Sequence, residues 1–169
     1  MVELQAIQAE SKTELYAAIA VQLRALLHGE RNLVANAANT AALLFGTLPE
    51  VNWAGFYLLD DGGSDGEKKG ELVLGPFQGK PACVRIALGR GVCGTAAAER
   101  RSVLVQDVQQ FPGHIACDAG SRSEVVIPII SNGVLVGVLD LDSPHVGRFD
   151  NDDRAGLEQI VEVFVAGLA

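Results

Sequence analysis

The sequence predicts an α+β domain, a mostly antiparallel sheet with helices grouped at the two ends of the chain. Three observations carry this. Apolar residues recur at helical spacing only near the start and the end. β-rich segments fill the middle. The clearest pair of these, residues 125–130 and 134–141, is joined by Ser131-Asn132-Gly133, which makes a hairpin rather than a parallel crossover. At 169 residues the chain is expected to form one domain over 1–169, and 49% hydrophobic residues are enough for a single core. Aromatics are only 5%, so that core must be aliphatic.

The elements follow in order. Ser11 and Glu14 have capping-box spacing, and Leu15, Ile19, Leu23 and Leu26 continue as a helical stripe. A second helix is expected over about 32–45, with Gly46 as its C-terminal cap and Pro49 as a stop. Residues 51–59 read as a strand, and 60–70 as a Gly- and Asp-rich loop. Residues 71–77 and 82–88 read as further strands, about 94–100 as a short helix, and 102–105 as a brief strand. Residues 111–121 form a loop built on Pro112, Gly113 and Gly120. After the hairpin, Asp150 and Asp153 open a last helix with Leu157, Ile160, Val161 and Phe164 as its apolar stripe.

A formal net charge of −8 opposes non-specific binding to nucleic acid or anionic membrane. The first residues carry Glu3, Glu10 and Glu14 and do not read as a signal peptide, and no apolar run is long enough to span a bilayer. A cytoplasmic location is expected. In that reducing compartment an odd set of cysteines is not a disulfide framework, so free thiols, a metal site or transient catalytic disulfides remain.

Cys83, Cys93 and Cys117 lie close in sequence and are followed by Glu124, Asp140 and Asp142, a pairing of thiols with proton donors found nowhere else in the chain. Cys117, in the glycine-flanked loop, is the most accessible and the first choice for a nucleophile. His114 stands three residues before it, either favouring its thiolate or simply facing solvent. Cys83 fits a strand pattern and Cys93 a strand-to-helix turn; either alone could be a small buried hydrophobe. Cys83, Cys93, His114 and Cys117 would make a metal-ligand set, but no Cys-x2-Cys pair begins it and the spacing is atypical, so no metal is expected.

Strand alternation puts Asp140 and Asp142 on one face and Leu139 and Leu141 on the other. Two close carboxylates resist joint ionisation, and one that keeps its proton can act as a general acid. Asp residues at a strand end can also lie in solvent. Whether Glu124 joins them depends on register. A two-residue Asn132-Gly133 turn sets Glu124 opposite Leu141, on the wrong face, whereas a three-residue loop with Gly133 left-handed sets it opposite Asp140. The bulged loop is the expectation, and Pro128 hints at an irregular or edge position. Trp53 and Tyr57 share one face of the first strand, either as core aromatics or as the wall of a small apolar site.

Gly89-Arg90-Gly91-Val92-Cys93-Gly94 matches a dinucleotide-binding fingerprint, with Asp107 downstream. The helical piece after it is too short for a parallel crossover. The segment reads instead as a close-packed loop that lets backbone approach a ligand.

The segments VNWAGFYLL, LVLGPFQGKPACVRI, GRGVCGTAAA, FPGHIACD, SRSEVVIPI and GVLVGVLDLDSP resemble those of the free methionine-(R)-sulfoxide reductases, small enzymes of the GAF fold, from about Tyr16 to the final helix. The resemblance implies a six-stranded, mostly antiparallel sheet with the terminal helices on one side and a ligand pocket on the other. It implies reduction of free methionine-(R)-sulfoxide rather than the protein-bound residue, no cofactor, thioredoxin as reductant and a homodimer. By the same resemblance Cys117 is the attacking cysteine, Cys83 the resolving one and Cys93 a third thiol able to enter a disulfide. Glu124, Asp140 and Asp142 surround the substrate amine and sulfoxide, with Glu124 or Asp142 as proton donor. Trp53 and Tyr57 enclose the methyl end. Outside that family, a non-enzymatic GAF module that binds a small molecule, or a thiol redox sensor, would share the layout.

Overall fold

The computed structural model describes residues 6–61, 70–113 and 120–168. Its elements are α1 (Lys12–Leu26), α2 (Leu33–Thr47), β1 (Trp53–Asp60), β2 (Glu71–Gly79), β3 (Arg85–Ala87), α3 (Gly91–Glu99), β4 (Val103–Val105), β5 (Ser123–Ser131), β6 (Val134–Ser143) and α4 (Asn151–Ala166).

Side-chain caps start the long helices. Ser11 Oγ accepts from Glu14 N at 3.2 Å, while Glu14 reaches back to Glu10 N at 2.9 Å, one residue before the usual partner. The buried stripe of α1 is Tyr16, Ile19, Ala20 and Leu23, so Leu15 and Leu26 sit at its half-buried margins. Asn32 Oδ1 caps α2 by accepting from Ala35 N at 3.0 Å. Gly46 does not end that helix, as the sequence implied. The helix runs on to Thr47, Leu48 N closes it on Leu44 O at 2.9 Å, and Pro49 follows. With ordinary helical space around it, nothing requires glycine at position 46. Asp150 and Asp153 cap α4 reciprocally.

The sheet order is β3-β2-β1-β6-β5-β4, and every pairing among the described residues is antiparallel. The architecture is the expected one, a six-stranded antiparallel sheet with the terminal helices on one side and a cavity on the other. Helices α1, α2 and α4 cover one face, burying Phe56, Val125, Ile127, Leu139 and Leu141 with Leu44, Leu157 and Phe164. Burial of such side chains contributes roughly 1.5–3 kcal/mol each. A second cluster on the opposite face joins Trp53, Tyr57, Val126 and Val138 to the short helix α3 through Val92, Cys93 and Ala96. Helix α3 connects the two edge strands at opposite ends of the sheet, which rules out a parallel crossover around the glycine fingerprint.

The β5–β6 hairpin corrects the expected route to its register. The loop is the two-residue Asn132-Gly133 turn, with φ of 51° and 79°, and Ser131 pairs with Val134. A bulge then falls inside β6: Ile130 pairs with Leu135 but Ile129 with Gly137. The extra residue slips the register by one, so Glu124 pairs with Asp142 rather than with Leu141 or Asp140. The face expected for Glu124 is therefore right, although the irregularity lies in the strand and not in the turn. Pro128 lies in β5 beyond the end of β4, whose last partner is Val126, so on that side it is an edge position, while it pairs with Val138 of β6 on the other.

Candidate active site

Register builds the site row by row. Trp53 of β1, Asp142 of β6 and Glu124 of β5 form one cross-strand row, and Gly55, Asp140 and Val126 form the next. All face the α3 side. Of these, Trp53, Glu124, Asp140 and Asp142, together with the first turn of α3 and residues 81–82, line a cavity of about 520 Å³, solvent at its mouth included.

Glycine at 55 is required by one aromatic wall. A Cβ there would stand 2.4 Å from Phe77 Cβ and 2.6 Å from Trp53 Cη2, so the indole lies flat across the bare backbone. Trp53 stacks between Tyr57, at 5.9 Å and 24°, and Phe77, at 5.3 Å and 14°. Both polar tips are used. Trp53 Nε1 donates to Lys80 O at 3.1 Å and Tyr57 OH to Cys83 O at 3.0 Å. The two aromatics are thus more than a wall, because they tether the segment that carries Cys83 over the cavity. The sequence placed them beside the site but gave no sign of these tethers, which depend on how 80–84 folds back.

The acids form the floor. Glu124 and Asp140 are 6% and 5% exposed, and Asp142 is half-buried. Cys93 Sγ, in the first turn of α3, donates to Glu124 Oε1 at 3.8 Å. Burial pushes Glu124 well above the ordinary carboxylate value, and the charges of Asp140 and Asp142 add to the rise. Burial likewise raises Asp140 from 3.8 to about 7, against opposing bonds from Cys93 and Glu124. The Cys93 thiol is raised by burial and then by the charges of Asp140 and Glu124, so it stays protonated. Asp140 Oδ1 is buried and accepts no hydrogen bond from any described residue. In a native interior such an atom is normally paired, so water or a ligand donor in the cavity would satisfy it.

Of the predicted thiols, Cys93 is a buried free thiol and Cys83 is half-buried and disulfide-bonded. Cys117 and His114 lie outside the described residues. A disulfide-bonded Cys83 has no thiolate to offer a metal. Cys93, Glu124 and Asp140 do bring one donor atom each within 4.8 Å of one another. Their environment favours the protonated forms of all three, however, which suits proton transfer better than cation ligation.

Sequence reasoning missed Pro81, Ala82, Ile86, Arg90 and Ser121 as lining residues. For Arg90 the signal was present, in a glycine-rich segment already read as a backbone approach. The helix was expected from residue 94 but starts at Gly91, which brings Arg90 to the cavity mouth. Gly94 allows the tight entry. A Cβ on it would lie 2.4 Å from Ala87 O, and its own carbonyl accepts from Gly89 N at 2.7 Å.

Comparison with known proteins gives a consistent picture. The GAF domain family matches residues 33–168. The chain is 52% identical over 151 residues to free methionine-R-sulfoxide reductase of Escherichia coli, covering 89% of this chain and 87% of that one. It is 52% identical over 162 residues to protein YtsP of Bacillus subtilis, covering 96% of each. Among solved structures, free methionine-R-sulfoxide reductase from Neisseria meningitidis, in complex with its substrate, superposes with a TM-score of 0.90 at 43% identity, covering 99% of this chain and 96% of that one.

Proposed function

The chain belongs to the free methionine-R-sulfoxide reductase family of GAF-domain proteins, and from that premise we propose that it reduces free methionine-(R)-sulfoxide to methionine by a thiol cycle. The observation that carries the reading is the buried acid cluster beneath the Trp53–Tyr57 wall, with the Cys83 segment tied above it.

The substrate is a zwitterion with a polarised S–O bond. Its ammonium can donate to Asp140 Oδ1, which accepts from none of the described residues, and its S-methyl group suits the flat face of Trp53. Glu124, raised by burial, keeps its proton more readily than an ordinary carboxyl and can give it to the sulfoxide oxygen. The Cys117 thiolate attacks the activated sulfur. The oxygen passes to Cys117 as a sulfenic acid, the substrate sulfur gains two electrons, and methionine leaves. The Cys83 thiol then displaces water from the sulfenic acid to give a disulfide. The dithiol of thioredoxin reduces that disulfide by exchange. That Cys83 is disulfide-bonded while Cys93 stays a buried free thiol supports Cys83 as the resolving residue. Val84, 64% exposed, leaves the neighbouring backbone open to a protein reductant. Asp142, across from Glu124 and half-buried, orients the ammonium and is the second candidate donor.

A homodimer through the helical layer and a cytoplasmic location belong to the same reading. Exposed Val21 and Val34 on that layer are compatible with a partner surface. No helix among the described residues is long and apolar enough to cross a membrane.

The test is methionine release from the separated R and S isomers of free methionine sulfoxide, with thioredoxin, its reductase and NADPH. Turnover of the R isomer alone is expected. No turnover of either isomer by protein with intact thiols would leave a GAF ligand-binding or redox-sensing module as the better account.

A further inference from the structure

The first turn of α3 is held in place. Thr95 Oγ1 donates to Gly91 O at 2.6 Å, and a side chain at Gly94 would strike Ala87 O, so residues 91–95 have little room to shift. Cys93 sits in that turn, 4% exposed. Its Sγ donates to Glu124 Oε1 at 3.8 Å, and an Asp140 oxygen belongs to the same group of atoms, all within 4.8 Å of one another. A thiol in a thiol-dependent site is readily taken for a redox group, but this setting opposes redox work. Attack on a sulfenic acid needs a thiolate. Burial, and then the charges of Asp140 and Glu124, hold the proton on Cys93. What this thiol can offer is its S–H, as a weak donor. Glu124 can use such a donor. Burial, and then the charges of Asp140 and Asp142, disfavour its ionised form, and the bond from Cys93 acts the other way.

We propose that Cys93 is a positioning residue, a thiol that stays protonated and donates to the Glu124 carboxylate formed when this acid gives up its proton. This rests on the proposed reaction and deepens it, because it gives the third cysteine a part in proton transfer instead of in the disulfide cycle. Glu124 starts as a neutral acid and passes its proton to the sulfoxide oxygen. A negative charge is then left on a buried floor beside Asp140 and Asp142. The S–H bond now runs from a neutral thiol to an anion, where a hydrogen bond is stronger. Cys93 neither gains nor loses electrons and keeps its hydrogen. Glu124 takes a proton back from water before the next turnover. The titratable groups around Glu124 among the described residues are Asp140 and Asp142 of β6, Tyr57 of β1, Cys93 of α3 and Arg90 at the mouth. Its neighbour in β4, Val105, carries no charge. Tyr57 OH donates to Cys83 O, whereas Cys93 donates to Glu124 itself.

Two measurements test this, and the second neither alters Cys93 nor depends on turnover. The first follows single-turnover methionine release from methionine-(R)-sulfoxide against pH in wild type, Cys93→Ala and Cys93→Ser. Glu124 works in its protonated form, and losing a donor to its ionised form makes it a weaker acid. Cys93→Ala should therefore move the high-pH limb of the profile further up and lower the plateau about three- to tenfold, with recycling by thioredoxin intact. Cys93→Ser, which keeps a donor, should recover most of the plateau rate. An unchanged profile in Cys93→Ala overturns the assignment, and so does a single burst of methionine followed by arrest in the presence of thioredoxin. The second measurement is the infrared S–H stretch of the double variant Cys83→Ser, Cys117→Ser, in which Cys93 is the only thiol. The band should lie at a hydrogen-bonded frequency and move further down as rising pH ionises Glu124. Glu124→Gln should remove that pH dependence. A band at the free-thiol frequency that ignores pH overturns the assignment whatever the activity. Wild type that turns over no sulfoxide, with a band that still follows Glu124, overturns the reaction and keeps the contact.

Discussion

Asp140→Asn should make the ligand-free protein more stable at neutral pH and leave it almost unchanged near pH 4. Burial raises Asp140 from 3.8 to about 7, so the native state holds this proton more tightly than the unfolded chain does. The contribution of the group is then most favourable below its unfolded value. It is lost as pH rises from about 4 to about 7 and is flat above that. At roughly 1.4 kcal/mol per tenfold change in proton affinity, the rise amounts to about 4 kcal/mol. Glu124 is raised for the same reason and slopes the same way, so the two act as one coupled site. Asp150 slopes oppositely: Lys12 first of all lowers it to about 2, and its contribution is lost only as pH falls below about 4. The two windows do not overlap. The assay is urea unfolding of wild type and Asp140→Asn at several pH values from about 4 to 8, with the thiols held in one redox state. The stability difference between them should grow across that range and level off near pH 7. A constant difference, or one that shrinks with pH, would refute the argument that burial of this carboxyl is what costs stability.

Four other outcomes are expected. Cys83→Ser should release about one methionine per enzyme and then stop; sustained turnover would move the resolving role to Cys93. Glu124→Gln should slow the chemical step by about 10²–10⁴, the usual worth of a general acid, in single-turnover kinetics, and an unchanged rate would remove it from that role. Gly55→Ala should cost about 1–3 kcal/mol of stability and weaken ligand binding, because its Cβ would stand 2.6 Å from Trp53 Cη2 and lift the ring; thermal melts and Trp53 fluorescence read both. Asp153→Ala should cost about 3–5 kcal/mol. That side chain is 1% exposed and accepts from Tyr16 OH and Arg148 at 3.0 Å, so its loss leaves a buried guanidinium with only Pro49 O and, at 4.0 Å, the exposed Glu50, and a near-neutral effect in urea unfolding would contradict this.

The sheet and the acid face were legible because they rest on short-range rules. Caps at Ser11 and Asp150 and the period of two along β6 need only neighbouring residues. The register of Glu124 was harder. Whether the slip sits in the turn or at the β6 bulge depends on how β6 also pairs with β1, which the hairpin sequence does not encode. Cys93 reaching Glu124, Tyr57 reaching the Cys83 carbonyl and Arg90 reaching the mouth are contacts between residues 26 or more apart in the first two cases and across a helix start in the third. Such contacts follow from the packing of α3 on the sheet. Gly46 misled because a glycine near a helix end resembles a cap even where the chain continues in helical geometry.

Strand β6 carries Leu139 and Leu141 into the helical core and Asp140 and Asp142 into the cavity. Natural selection therefore reads this one strand in alternating letters. Substitutions at the leucines would appear in a cell as loss of protein abundance, since they open cavities under the helices. At Asp140, on the proposed reaction, loss of the buried acid would leave abundance intact or raised while activity falls. A mutation that improves yield at this site is thus a warning, and screens for robust expression would enrich inactive protein there.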